Sequence, residues 1–127
     1  MKDLWPTIKT IIKIGVIMLI LDAIYLNLTK GIFSRMIENI QGEKMQLNIY
    51  GAIICYILLI GGLYYFIIKE GKSVLDAFLF GFVIYGVYDS TNYAIIKKWS
   101  YSAAIMDAVW GGILMALTTL GNRWFAT

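Results

Sequence analysis

Histidine is absent from this 127-residue chain, cysteine occurs once, at Cys55, and proline once, at Pro6. Each absence excludes a class of chemistry. Without histidine, and with one thiol, there is no disulfide framework, no zinc site of the Cys/His type and no histidine-ligated haem. No cofactor is expected. Charge is scarce as well: 15% of the residues are Asp, Glu, Lys or Arg, and the net charge is +3. The basic residues stand at the ends of apolar runs instead of forming one patch. That is the distribution of interface anchors, and it argues against a nucleic-acid partner. Pro6 precedes the first long apolar run, so no run is broken by proline.

What remains is largely apolar. Hydrophobic residues make up 60% of the chain, and the mean hydropathy is +0.73. That exceeds the apolar share of soluble domains, and a chain this short cannot hide so much oily surface in one core. Residues 1–127 are therefore read as a single integral membrane domain with the lipid bilayer as partner. Four segments are long enough to cross about 30 Å of hydrocarbon: about 10–28, 47–68, 74–96 and 102–120. Continuous runs without alternation predict helices, so the fold class is an all-α membrane bundle. The N-terminal MKDLWPTIKTIIKIGV begins like a signal peptide. It lacks a small-residue cleavage site and continues through Asp22, so a retained first span is expected. Cys55, within AIICYILLIGG, reads as a small packed hydrophobe.

The connection between the first two spans has apolar residues at Ile32, Phe33, Met36, Ile37 and Ile40, with Lys30, Arg35, Glu38 and Lys44 between and after them. This spacing predicts an interfacial amphipathic helix over about 31–41; the alternative is a plain extension of the first span. In the second connection, Ser73 and Asp76 have capping-box spacing, which makes Asp76 a helix-start residue. Trp99, after Lys97 and Lys98, is placed like an interface anchor. Six basic residues (Lys2, Lys9, Lys13, Lys69, Lys72, Arg123) fall on one side of the membrane and five (Lys30, Arg35, Lys44, Lys97, Lys98) on the other. The balance leans towards cytoplasmic termini and leaves insertion in both orientations open.

Apart from Asp76, the spans hold three acids: Asp22, Asp89 and Asp107. At about 1.5 Å per residue they lie roughly 9, 10 and 8 Å from the same membrane face, on three different helices. Tyr25, Tyr85, Tyr88, Asn92 and Trp110 are near them in sequence and form the expected polar shell, with Thr91 turned back to its own helix carbonyls. No Lys or Arg lies in the layer, so protons or a bound cation must balance three carboxyl groups in a low-dielectric medium. Polar residues at such depth serve either as hydrogen-bonding glue between helices or as a functional site. Paired small residues (Gly61 and Gly62, Gly81 and Gly86, Gly111 and Gly112) are read as close-contact positions. The words LDAIYL (21–26) and MDAVWG (106–111) echo one another, although LDAFLF (75–80) shows how easily such a match arises.

The segments LDAIYLNL, FLFGFVIYGVYDSTNYAIIKKWS and MDAVWGG together resemble a widespread, chiefly bacterial family of small four-span membrane proteins catalogued as a domain of unknown function. The family pattern falls on Asp22, Tyr25, Gly81, Gly86, Tyr88, Asp89, Thr91, Asn92, Trp99, Asp107, Trp110 and Gly111. Ser90 stands where the family usually has leucine, and Tyr25 where it often has tryptophan. The resemblance implies the four-span fold and no activity.

From the residues themselves, the leading expectation is a proton or hard-cation channel or transporter. Asp22, Asp89 and Asp107 would form the ion or proton site, and the metal identity, if any, is undefined. Four helices enclose too narrow a path for a wide channel, so a homo-oligomer is expected. A structural or accessory subunit is the alternative, and a lipid-modifying enzyme using paired acids the less favoured third.

Overall fold

The computed structural model describes residues 3–125, and Lys2, counted above among the basic residues, lies outside them. Four helices follow in order: α1 (Trp5–Gln41), α2 (Ile49–Leu63), α3 (Val74–Ile95) and α4 (Tyr101–Trp124). A π-helical turn, Tyr64–Ile68, prolongs α2. All four are long and apolar enough to cross a membrane, as the sequence predicts.

Local chemistry sets the ends. Pro6 sits in the first turn of α1, where its missing N–H costs nothing. Gly42 stops that helix in the left-handed region, φ 76°, and its N–H donates to the Glu38 carbonyl. Asn48 caps α2 by accepting from the Tyr50 and Gly51 amides at 3.0 and 3.3 Å. Ser73 caps α3 through the Asp76 amide at 3.0 Å, and Ser100 caps α4 through Ala103 at 3.2 Å. Asp76 is thus in the first turn of a helix, as its spacing suggests.

Three expectations need correction. Residues 31–41 are no separate interfacial helix: α1 runs unbroken for 37 residues, about 55 Å. Most of its apolar stripe is covered by protein, because Phe33, Met36, Ile37 and Ile40 pack on Ile96, Trp99, Ala103 and Ala104, while Ile32 stays exposed. Trp99 is consequently buried at 7% exposure and does not anchor at the lipid surface. Cys55 is exposed instead of packed inside.

α3 and α4 form the tightest pair, because glycine lets their backbones meet. A Cβ added at Gly81 would strike the Gly111 carbonyl and come within 2.6 Å of Met115 Cγ. One added at Gly112 would lie 2.7 Å from the Phe78 ring, and the Tyr85 ring lies directly over Gly111. Gly62 approaches Phe80 at 3.1 Å, whereas Gly61 faces open space and Gly86 only ordinary contact with Ala108. The close-contact reading therefore holds for four of the six paired glycines. α4 also lines α1 and is the most buried helix; α2 hangs at the margin, burying only Leu59 and Leu63.

Two apolar clusters result. One joins Met18, Leu59, Leu63, Ile67, Ala77, Leu114 and Met115. The other is the Met36–Trp99 cluster at the far end. Asp22, Asp89 and Asp107 lie between them along their helices. Beyond the first cluster, Lys13 donates to the carbonyls of Asn122 and Phe125 at 3.0 and 2.7 Å, satisfying the end of α4.

The glycine geometry predicts unequal effects of one added methyl group. Gly81→Ala forces the α3–α4 backbones apart and costs about 1–3 kcal/mol. Gly86→Ala meets ordinary contact and gains up to about 1 kcal/mol of helix propensity. Thermal unfolding of both variants in one detergent checks this; equal shifts would mean the helices are not in backbone contact.

Candidate functional site

Asp22 and Tyr25 stand three residues apart on α1, as Asp107 and Trp110 do on α4, so each pair shares a helix face. The two helices bring these faces together with partners exchanged. Trp110 Nε1 donates to Asp22 Oδ1 at 3.0 Å. Tyr25 Oη donates to Asp107 Oδ1 at 3.0 Å. Between the two bonds the Tyr25 and Trp110 rings stack, centroids 4.6 Å apart and planes 4° from parallel. The short echo in the sequence is thus a pair of mutually complementary words.

α2 adds a donor that sequence reasoning missed: the Tyr56 hydroxyl binds Asp22 Oδ2. A signal was present. Tyr56 lies about nine residues into its span, roughly 13 Å from the face that the acids approach, and so in nearly the same layer. With Trp110 and Tyr56 on its two oxygens, Asp22 has a donor for each, and it is 6% exposed.

Asp89 is treated differently. It is 1% exposed, and neither carboxyl oxygen has a hydrogen-bond partner among the described residues. Its polar neighbours are Asp107 and the Trp99 indole. Trp99 Nε1 is itself buried and unpartnered. A donor and an acceptor stand side by side without bonding.

The expected shell of Asp89 is corrected accordingly. Tyr88 is 58% exposed and sets its ring edge-on against Trp99, centroids 6.1 Å apart. Asn92, one turn further on, neighbours Tyr88, and neither side chain bonds the acid. Thr91 is exposed, and the residue bonded to its own helix is Ser90, whose hydroxyl donates to the Val87 carbonyl at 3.3 Å. Asp89 is instead directed at Asp107 and Trp99, and no polar side chain of α3 bonds to it. Tyr85 packs on Gly111 and, with Tyr88, Cys55, Leu59 and Asp107, lines a cleft of about 370 Å³ between α2 and α3.

The three acids are thus near one another without meeting at a point. The Tyr25 hydroxyl is within electrostatic reach of all of them. Yet among the described residues no three acidic or thiol side chains converge as metal ligands would. What the arrangement offers is one doubly bonded acid, Asp22, one singly bonded acid, Asp107, and one unpaired acid, Asp89, beside Asp107.

Tyr25→Phe and Trp110→Phe each delete one donor while keeping a ring to stack. Each should cost roughly 1 kcal/mol, and together they should depart from additivity because both act on one contact network. Asn92→Leu, which strips nothing from Asp89, should cost less. Unfolding midpoints of the three variants and the double variant test this ordering; Asn92→Leu as the worst would restore Asn92 as the partner of Asp89.

No curated protein and no solved structure matches the chain. A family model described as "Predicted membrane protein (DUF2177)" matches residues 7–123. Nearly the whole helical bundle lies within that match, and the chain belongs to this family of membrane proteins.

Proposed function

We propose that the protein is a small membrane transport subunit in which Asp89, beside Asp107, carries the exchanged charge, with the proton as the simplest such charge. One observation carries this reading: a carboxyl group that is 1% exposed and has no bonding partner for either oxygen. Such a group is costly at membrane depth, so a role in stability does not account for it. Asp22 and Asp107 accept hydrogen bonds from other helices, whereas the Trp99 indole beside Asp89 completes none with it. The absence of a three-acid cluster among the described residues favours a proton or singly charged species over a multivalent metal ion.

A conformational element is at hand. The unpaired Trp99 indole follows the short turn at Lys97 and Lys98, so a modest shift of this turn changes what Asp89 binds. An oligomeric assembly fits the exposed outer faces of α2 and α3, where Ile53, Ile57, Leu58, Val83 and Val87 stand clear of the bundle. The exchanged bonds between α1 and α4 favour a second reading, a structural subunit, for Asp22 in particular.

Purified protein in liposomes should conduct or exchange protons, Na⁺ or K⁺, and Asp89→Asn should reduce that flux by an order of magnitude or more with the unfolding temperature little changed. Asp22→Asn should instead lower the unfolding temperature. If wild-type protein moves none of protons, Na⁺, K⁺ and Mg²⁺, the structural reading replaces this one.

A further inference from the structure

Away from the acid layer, an open groove of about 380 Å³ lies between the tail of α1 and the α3–α4 turn. Arg35 lines it from α1 and Lys98 from the turn, together with Ile32, Met36, Asn39 and Ser100. Both cations are exposed, and among the described residues no Asp or Glu lines the groove. Backbone bonds hold the two cations in place. Arg35 Nε donates to the Gly31 carbonyl at 3.1 Å, and Lys98 Nζ to the Asn39 carbonyl at 3.1 Å. These acceptors are uncharged, so they tether the side chains without neutralising them. Each bond uses one N–H, whereas arginine carries five donors and lysine three. Ser100 is the N-cap of α4, so the positive end of that helix meets the same wall. Glu38, one turn after Arg35, is exposed and stands outside the lining.

We propose that this groove binds an anionic phosphate group, carried by a membrane lipid; the site is independent of any transport through Asp89. Two like charges fixed on one groove, with no acid in its walls, are complementary to an anion. The guanidinium offers paired donors to phosphate oxygens, and the ammonium adds a second point of charge. Depth favours a lipid as the carrier. Arg35 stands about seven residues past the first apolar run, roughly 10 Å, and Lys98 just past the third. That is the level of the headgroups, where basic pockets between membrane helices hold anionic lipids. Ile32, 46% exposed, gives the glycerol and first acyl carbons an apolar wall. A zwitterionic head brings an ammonium of its own, which Arg35 and Lys98 repel, so lipids of net negative charge are preferred.

The test is isothermal titration of the full chain, in an uncharged detergent at low salt, with dioctanoyl phosphatidylglycerol. Dioctanoyl phosphatidylcholine is the zwitterionic control, and inorganic phosphate the arm without acyl chains. Phosphatidylglycerol should bind saturably and roughly tenfold more tightly than phosphatidylcholine. Arg35→Gln and Lys98→Gln should each weaken it roughly fivefold, and together roughly twentyfold. Lys30→Gln and Lys44→Gln remove the same charge on the same side of the membrane but outside the groove, and should change affinity less than about twofold. Equal losses in all four single variants overturn the site in favour of diffuse surface charge, and equal binding of the two lipids overturns it as well. Should Lys98→Gln lower the unfolding temperature, Arg35→Gln decides, because its tether lies within α1: unchanged affinity there overturns the proposal. Inorganic phosphate that binds as tightly as phosphatidylglycerol upholds the phosphate site and overturns the lipid as its carrier.

Discussion

The exchange of donors between α1 and α4, Trp110 to Asp22 and Tyr25 to Asp107, is the contact on which the arrangement of the bundle turns. Acids in a lipid-embedded bundle are tolerable only where something neutralises or solvates them. Two bonds joined by a stacked ring pair meet that need for Asp22 and Asp107 and at the same time fix how far α1 has slid along α4. A slip by one helical turn would undo both bonds and the stack together. With α1 set in register on α4, and α3 held to α4 by glycine contact, Asp89 is brought against α4 whatever its own bonding preferences.

The layer of three acids lies between two dry clusters, and this gives the chain a division of labour. Met18, Leu63, Leu114 and Met115 fill one end with apolar side chains, and the buried Thr118 and Thr119 beside them donate back to the Leu114 and Met115 carbonyls. At the other end Met36 and Trp99 tie the long tail of α1 to the α3–α4 turn. Helix contact in lipid relies on close packing, since lipid chains are as apolar as the side chains themselves. That is why glycine, and not a larger hydrophobe, governs the α3–α4 pair.

Much of this was legible in the residues. Continuous apolar runs marked the four helices, Ser73 with Asp76 marked a helix start, and depth arithmetic put Asp22, Asp89 and Asp107 in one layer. What was hidden depends on contacts between distant segments. The apolar stripe at Phe33, Met36 and Ile37 has the same spacing whether it meets lipid or Trp99, so an interfacial helix and an extended α1 look alike in sequence. The partners of Asp89 were misassigned for a related reason. Angles around α3 tell which residues share a face, but not that Asp89 turns to Asp107 and Trp99 while Asn92 neighbours Tyr88. Tyr56 was overlooked because a tyrosine in an apolar run looks like packing until its depth is compared with that of Asp22.

The Trp110–Asp22 bond joins residues 88 positions apart, and that span has a consequence for biogenesis. When the first helix reaches the membrane, its aspartate has neither the tyrosine of the second helix nor the indole of the fourth. Tyr56 emerges first and Trp110 last, so the acid gains its partners in the order of synthesis. Until residue 110 is made, the first helix has Tyr56 of the second helix as a partner and no Trp110 to bond its other carboxyl oxygen. The last helix to be inserted is therefore the one that completes the first, and a chain interrupted before it leaves a carboxyl oxygen stranded in lipid for quality control to find.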